Sequence, residues 1–485
     1  MLQDFIKTKI KENLPHVPTN DQHNVIHAIA DFLKSSDEVF ILTGYAGTGK
    51  TTIIQAIVKT LDECSIPTVL LAPTGRAAKI LHNYTQKSAY TIHKKIYRQT
   101  ISGGIQKFSL QYNATPNAIY IVDEASMLSN QSGEQSMFGS GLLFDDLTEF
   151  VFSNKRCKLI LVGDTAQLPP IGLPYSPALD STYVEQSYLK TCKSGVLSDV
   201  VRQSQESGIL YNATLIRQLI DTGTITFPKF TIQHTDFVSI TGSELLECLE
   251  SSYAKKGQEN TIIITRSNKL ANRYNQGIRQ TILWRDSEIS VGDYIMIVKN
   301  NYFWTQDIPE IDFLANGDIV KIVAVTKYET MYNLNFAHVI IECPDYNNIR
   351  IKTKVVLNTL YSESPSFTRS EQQNFYEEVM LDYADFTSKK KKYDELRKNE
   401  YFQALQIKFA YAVTCHKAQG GQWNDVYIDH GYFIDSMLDI DFLRWLYTAI
   451  TRATETLYLV NFKDDFFAKS ETKKTIKKKK IDGFE

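Results

Sequence analysis

An α/β fold with two parallel-sheet cores is predicted for this chain of 485 residues. Three observations lead to this prediction. Short apolar runs, each followed by a polar loop and a helical pattern, recur between residues 39 and 168. The same alternation returns at 261–280 and again after 425, and a stretch with shorter strands separates these two segments. Strands that alternate with helices are typical of a parallel sheet covered on its faces.

Individual elements follow from the spacing of apolar residues. The first core is predicted to contain strands at 39–42, 68–71, 119–122 and 159–162. Residues 98–117 break this rhythm, and Gly103-Gly104 with apolar neighbours predicts a small inserted hairpin. The second core is predicted to contain a strand at 261–265, a helix at 268–280, and strands at 426–428 and 457–460.

The segment between the two parts of the second core has a different character. Short strands are predicted at 294–298, 319–325, 339–342 and 354–357, with glycine turns between them. This spacing favours a small antiparallel barrel or sandwich. Residues 362–406 are charged and are predicted to be helical, whereas the lysine-rich tail after 463 is predicted to be disordered.

Composition limits the possible classes of protein. The formal net charge is −2, so any surface that binds nucleic acid has to be local. The six cysteines are scattered and form no C-x-x-C pair, which argues against a metal or disulfide framework and favours reduced thiols. No apolar run is long enough to span a bilayer, and the amino terminus has no signal-like core. We therefore expect a cytoplasmic protein without a membrane partner.

Residues 44–51 fit the phosphate-binding loop pattern G-x-x-x-x-G-K-[ST]. The pattern follows a predicted strand and precedes a helix, which is the context such a loop needs. Its glycines let backbone N–H groups turn toward phosphates, and the helix amino terminus adds positive potential. The sequence thus predicts binding of a nucleoside triphosphate, taken to be ATP. The candidate binding residues are Gly44, Gly47, Thr48, Gly49, Lys50, Thr51 and Thr52.

Two adjacent carboxylates follow the predicted strand at 119–122. Asp123 is expected to hold Mg²⁺ together with the hydroxyl of Thr51, while Lys50 reaches the β- and γ-phosphates. Glu124 is then placed to orient or deprotonate the attacking water. Ligands bind at the carboxyl edge of open parallel sheets, which is where this pair is predicted to lie. The predicted chemistry is hydrolysis of the triphosphate.

Further motifs follow in order along the chain, at 18–22, 71–79, 91–93, 161–170, 201–203, 413–422 and 447–453. Together they resemble the motifs of superfamily-one helicases, in particular the B group of RecD-like and Dda-like enzymes. The resemblance extends from Thr19 to about Phe462. It implies two RecA-like cores with an inserted β-hairpin pin, an inserted small β-barrel and a helical accessory region.

The implied domains are a first RecA-like core at 1–96 and 118–200, a pin at 97–117, a second core at 201–287 and 407–462, an accessory domain at 288–406, and a basic tail at 463–485.

The resemblance also implies roles for individual residues. Gln22 would read adenine, Gln167 would sense the γ-phosphate, and Arg202 and Arg452 would meet that phosphate from the second core. Relatives often carry a glutamate where this chain has Gln422, and a neutral amide would hold the ribose less strongly than a carboxylate. Contacts to nucleic-acid phosphates are implied for Thr74, His93, Thr414, His416 and Lys417.

Phe108 is the leading candidate for an apolar group at the tip of the pin, where it would cap the last base pair. The alternative, that Phe108 packs the hairpin onto its own core, is equally open.

The resemblance implies an ATP-dependent DNA helicase that acts as a monomer on single-stranded and forked DNA and travels 5′ to 3′. Its setting would be a bacterial or phage-infected cell, near the nucleoid, with single-strand-binding or other replication and repair proteins as further partners. The same motor acting on RNA or RNA–DNA hybrids remains an alternative, because phosphate contacts do not report the sugar. A P-loop ATPase that remodels protein complexes and a silent DNA-binding module are less well supported by these motifs.

Overall fold

A computed structural model describes residues 2–102, 105–131, 139–199, 207–311 and 313–468. The first core is a six-stranded parallel sheet in the order β3-β2-β6-β7-β1-β8. Its strands are β1 (Val39–Gly44), β2 (Thr68–Ala72), β3 (Ala89–Thr91), β6 (Ile119–Val122), β7 (Lys158–Gly163) and β8 (Cys192–Leu197). The four predicted strands are therefore present, and β3 and β8 extend the sheet at its two edges.

Helices cover both faces of this sheet. They are α1 (Leu2–Glu12), α2 (Asn20–Lys34), α3 (Lys50–Glu63), α4 (Gly75–Thr85), α5 (Ile92–Ile96), α6 (Leu143–Phe152) and α7 (Ser181–Tyr188). One face packs mainly isoleucines of α2 and α3 against β1, and the other packs α6 against β6 and β7. These two apolar layers fix the carboxyl ends of the central strands, from which the candidate site is built.

The predicted hairpin is present and consists of β4 (Tyr97–Ser102) and β5 (Ile105–Leu110). Tyr97 pairs with Leu110 at the base and Ser102 pairs with Ile105 next to the turn. Phe108 pairs with Gln99, so it lies in the body of the hairpin and not at its tip.

The second core is a five-stranded parallel sheet in the order β16-β10-β17-β18-β9. Its strands are β9 (Phe237–Ile240), β10 (Thr261–Thr265), β16 (Ala412–Thr414), β17 (Trp423–Asp429) and β18 (Ala453–Val460). The helices of this core are α8 (Gly208–Asp221), α9 (Leu245–Lys256), α10 (Asn268–Gly277), α13 (Cys415–Ala418) and α14 (Ile440–Ile450). Phe466 is fully buried in this core, so ordered packing continues beyond the predicted end at 462. Residues 469–485 of the predicted tail lie outside the described residues.

Between β10 and β16 the chain forms a closed five-stranded barrel. Its strands are β11 (Tyr294–Ile297), β12 (Ile319–Met331), β13 (Leu334–Cys343), β14 (Ile349–Val356) and β15 (Leu405–Phe409), and helices α11 (Arg369–Leu381) and α12 (Lys389–Lys398) precede β15. The boundary predicted between 406 and 407 falls inside β15, because this strand pairs with β11 and β14 to close the barrel. The barrel interior is continuous with apolar residues of the second core.

Two expectations from composition can be compared with this fold. All six cysteines are free thiols. Within the described residues, no helix combines the length and apolar character needed to cross a bilayer.

Candidate functional site

A cleft of about 480 Å³ lies between the two cores at the carboxyl ends of β1 and β6. Both cores contribute to its walls. Predicted residues that line the cleft are Gly47, Gly49, Lys50, Thr51, Thr52, Asp123, Glu124 and Gln167 from the first core, and Gln422 and Arg452 from the second. The structure therefore brings together, around one cavity, residues that are up to about 400 positions apart in the sequence.

The phosphate-binding loop connects β1 to α3. Gly47 and Gly49 adopt left-handed φ angles of 76° and 87°, which glycine tolerates at little cost. The ammonium of Lys50 donates to the carbonyl oxygens of Gly44 at 2.6 Å and Tyr45 at 2.9 Å. It also lies 3.7 Å from Oδ2 of Asp164. The lysine is thus held at the mouth of the loop, within reach of an anion that enters the cleft.

The carboxylate pair lies directly after β6. Oδ1 of Asp123 accepts the backbone N–H of Glu124 at 2.9 Å, and Oδ2 accepts the hydroxyl of Tyr84 at 2.7 Å. Glu124 has a left-handed φ of 52°, an uncommon conformation for a non-glycine residue that is often found at functional sites. Burial raises the pKa of Glu124, while the charge of Arg452 opposes this rise. A buried carboxyl with a raised pKa is well suited to accept a proton from water.

The oxygen ligands needed for Mg²⁺ are present in the cleft. Thr51 supplies a hydroxyl and Asp123 a carboxylate, both of which are hard oxygen donors that this ion prefers. Among the described residues there is no group of three or more His, Cys, Asp or Glu side chains that could hold a metal unaided. This donor set fits an ion that is bound through one or two protein oxygens plus substrate phosphates.

Asp164 and Gln167 follow β7 and face the second core. Oδ1 of Asp164 accepts the Ala166 N–H at 3.0 Å, and Oδ2 accepts the hydroxyl of Tyr447 at 2.8 Å. Gln167 is buried, and its side-chain oxygen has no hydrogen-bond partner among the described residues. A buried amide oxygen without a partner is costly, so a ligand or water in the cleft is expected to satisfy it.

Arg452 is only 4% exposed and is held by three oxygens of its own core. Its guanidinium donates to the carbonyls of Thr448 at 3.0 Å and Gly421 at 3.3 Å and to the hydroxyl of Thr451 at 3.1 Å. These bonds aim a pre-positioned positive charge at the cleft from the second core. The other predicted arginine, Arg202, lies outside the described residues.

Two predicted nucleotide contacts are placed differently from expectation. Gln22 is fully buried, and it is not among the residues that line the cleft. Its side chain accepts the Thr19 N–H at 3.1 Å and donates to the Thr48 carbonyl at 3.2 Å. The adenine-reading role is therefore corrected to a structural one, because both ends of the amide are engaged in capping α2 and holding the phosphate-binding loop. Pro15 and His16 line the cleft in its place.

Direct hydrogen bonds connect the cores beside the cleft. The Leu168 N–H donates to the hydroxyl of Thr448 at 2.8 Å, and the Leu168 carbonyl accepts the side-chain amide of Gln419 at 2.8 Å. In the phosphate-binding loop, the hydroxyl of Tyr45 donates to Asp221 at 2.9 Å. The motif pattern did not single out Tyr45, Tyr84, Asp164 or Tyr447 for these contacts, since their partners are distant in the sequence.

The predicted nucleic-acid residues occupy two regions. Thr74 caps α4 by accepting the Ala77 N–H at 3.2 Å, and the second core approaches it closely at Gly420. Thr414 and the exposed His416 begin α13, and the ammonium of Lys417 donates to Asn316 of the barrel. These residues lie where the two cores and the barrel meet.

His93 and Phe108 lie farther away, beside the hairpin. Burial lowers the pKa of His93 to about 4, so its imidazole is neutral at pH 7. The Phe108 ring is 8% exposed, and its centroid lies 4.3 Å from that of Tyr302 in the barrel insertion. The expectation that Phe108 caps a base pair is therefore wrong for this conformation, and the packing alternative is the one observed.

Two family models match the chain. A model described as AAA domain matches residues 19–219, and one described as UvrD-like helicase C-terminal domain matches residues 409–460. The first match contains Lys50, Asp123 and Gln167, and the second contains Gln422 and Arg452. The two matched regions therefore supply the two walls of the cleft.

Several curated proteins are similar over long stretches. An uncharacterised protein of Acanthamoeba polyphaga mimivirus is 24% identical over 87% of this chain and 95% of its own length. The RecD subunit of the RecBCD enzyme from Buchnera aphidicola is 24% identical over 96% of this chain and 77% of that protein. The ATP-dependent DNA helicase Dda of Enterobacteria phage T4 is 26% identical over 63% of this chain and 67% of that protein.

Proposed function

We propose that this chain, a superfamily-one helicase of the B group with RecD-like and Dda-like relatives, hydrolyses ATP between its two cores to move along single-stranded DNA and unwind duplex DNA. One observation carries the proposal. Arg452 of the second core lines the same cleft as Lys50 and Glu124 of the first. A triphosphate held there touches both cores, so its cleavage changes what holds them together.

Each cleft residue has a task in the proposed hydrolysis. Lys50 exchanges the carbonyls of the loop for phosphate oxygens, and Gln167 gives its unpartnered oxygen to the nucleotide or its water. Glu124 takes the proton from the attacking water, and its raised pKa favours that transfer near neutral pH. Arg452 stabilises the charge that spreads over the transferring phosphoryl group, an effect worth about 10³–10⁵ in rate in related chemistry.

Thr51 and Asp123 would hold Mg²⁺, with Gln422 toward the sugar. When bound, the ion would neutralise charge on the β- and γ-phosphate oxygens. The roles of Gly44, Gly47, Thr48, Gly49 and Thr52 in shaping the phosphate cradle are part of the same proposal.

Thr74, Thr414, His416 and Lys417 are proposed to hold the phosphates of the single strand where cores and barrel meet, with His93 next to the hairpin. Opening and closing of the cleft would then shift one set of contacts relative to the other along the strand. We further propose 5′ to 3′ travel, action as a monomer and the predicted division into two cores, a pin and an accessory domain. Proteins of replication and repair are the proposed protein partners.

The test combines hydrolysis and strand separation. We expect ATP hydrolysis by the purified chain to rise strongly with single-stranded DNA, and Lys50→Ala to abolish it. Forked substrates with one tail at a time report unwinding and its direction together. Hydrolysis that is indifferent to DNA would overturn the proposal, and preferential stimulation by RNA of equal length would redirect it to an RNA substrate.

A further inference from the structure

Tyr84 makes an unexpected contact with the proposed metal site. Its hydroxyl donates to Oδ2 of Asp123 at 2.7 Å, and the ring lines the nucleotide cleft. The other carboxylate oxygen is fixed by the backbone N–H of Glu124. The orientation of the Asp123 carboxylate is therefore set by its own turn on one side and by a tyrosine from a different element on the other.

That element is α4, whose opposite end belongs to the proposed DNA-binding surface. Thr74 caps its amino terminus, and Tyr84 lies in its last turn. The helix has 11 residues, which corresponds to a length of about 16 Å. Leu81, in the middle of the helix, is fully buried in the core. A short, well-packed helix moves as one body, so a displacement at Thr74 is felt at Tyr84.

The first two turns of α4 also contact the second core and the barrel. The Arg76 guanidinium lies 3.9 Å from the ring centroid of Trp423 and donates to the Gln422 carbonyl at 2.9 Å. The ammonium of Lys79 donates to the Pro344 carbonyl at 2.7 Å. Any movement of the second core or the barrel relative to the first must act on this helix.

We propose that Tyr84 positions Asp123 for Mg²⁺, and that α4 thereby transmits binding of single-stranded DNA at its amino terminus to the metal site. The inference rests on the proposed function and adds the physical connection by which DNA would stimulate hydrolysis. Tyr84 is a positioning residue, because it acts through Asp123. Groups that orient a metal ligand in this way typically account for about 10–100-fold in metal affinity or activity.

The main experiment is Mg²⁺ titration of fluorescent ADP binding by wild type and Tyr84→Phe, each with and without a thymidine oligonucleotide. We expect Tyr84→Phe to raise the Mg²⁺ midpoint about tenfold. Binding of the nucleotide in EDTA should stay unchanged, because Lys50 and the loop hold the phosphates. The oligonucleotide should lower the midpoint in wild type and lose this effect in the variant.

The matched control is Tyr188→Phe, which removes another tyrosine hydroxyl that donates to a carboxylate, Asp145, in the same core and away from the cleft. It should leave the midpoint unchanged. An unchanged midpoint in Tyr84→Phe, or an equal shift in Tyr188→Phe, would overturn the proposal. In an Asp123→Asn background, Tyr84→Phe should add no further shift, and an additional shift would also count against it.

A second measurement needs no variant. Hydrogen exchange of wild-type residues 80–86 should slow when ADP is added with Mg²⁺, and not when ADP is added with EDTA. Equal protection in both conditions would contradict a connection between Tyr84 and the metal. Failure of the proposed function is distinguishable, because it would show as wild-type hydrolysis that ignores DNA, whatever the Mg²⁺ midpoints of the variants.

Discussion

The phenol oxygen of Tyr447 accepts a hydrogen bond from the backbone N–H of Ala46 at 2.9 Å, although the two residues belong to different cores. The same hydroxyl donates to Asp164, whose carboxylate lies 3.7 Å from the ammonium of Lys50. One side chain of α14 thus joins the second core to the phosphate-binding loop and to the carboxylate beside its lysine. Separation of the cores must break these bonds.

Tyr447→Phe tests how much this contact stabilises the closed arrangement. The change keeps the buried ring but leaves the Ala46 N–H and one oxygen of Asp164 without their partner. Because unsatisfied buried polar groups are costly, we expect a loss of about 1–3 kcal/mol in the free energy of unfolding. Urea denaturation measures this loss. Tyr432→Phe, at a tyrosine that is 80% exposed, should change nothing, and equal stability of the two variants would refute the expectation.

Arg452 should act on the rate of hydrolysis far more than on nucleotide affinity. The guanidinium is already aimed at the cleft by Thr448, Gly421 and Thr451, so its charge needs no reorganisation during the reaction. We expect Arg452→Ala to slow single-turnover hydrolysis by about 10³-fold or more. Arg452→Lys keeps the charge but not the fork, and should recover only part of the rate. An alanine variant with a near-normal rate would remove Arg452 from the mechanism.

The affinity for single-stranded DNA should fall as pH rises through about 8. Burial lowers the pKa of Lys417 to about 8 from its usual 10.5, so the ammonium is charged below this pH and neutral above it. Only the charged form attracts a phosphate, hence binding is stronger at pH 7 than at pH 9. Fluorescence anisotropy at fixed ionic strength measures this dependence.

Lys417→Arg is the control for this pH effect, since arginine stays charged throughout the range. The variant should bind DNA with little change between pH 7 and 9. Lys417→Met should bind more weakly at both values and reduce the slope of log affinity against log salt by about 1. The same pH dependence in wild type and Lys417→Arg would assign it to another group.

Local patterns predicted those parts of the site whose contacts are local. The phosphate-binding loop, the carboxylates after β6 and Arg452 all belong to short motifs that carry their own backbone geometry. Phe108 shows where this ends, because the ring packs on Tyr302, about 200 residues away. No pattern of neighbours reports such a contact. The hydroxyl of Tyr84 on Asp123 was missed for the same reason.

The misplacement of Gln22 has a different origin, because a local signal was available. Thr19 and Gln22 have the spacing of a capping box, in which a glutamine three residues after the cap returns to the backbone of the cap. The structure contains this box at the start of α2. An amide oxygen engaged in this way is not free to read a base, so the capping pattern predicts the observed position better than the resemblance does.

Gln22 is therefore expected to affect stability and not the choice of base. Gln22→Ala removes the bond to the Thr19 N–H and the bond to the Thr48 carbonyl, and a lost cap typically costs about 1 kcal/mol. We expect a lower midpoint of urea unfolding and an unchanged preference for ATP over GTP in hydrolysis. Gln22→Glu keeps the cap and loses only the donor to Thr48, so its stability should lie between wild type and alanine. A selective loss of ATP preference in Gln22→Ala would show instead that the amide turns toward the base when nucleotide binds.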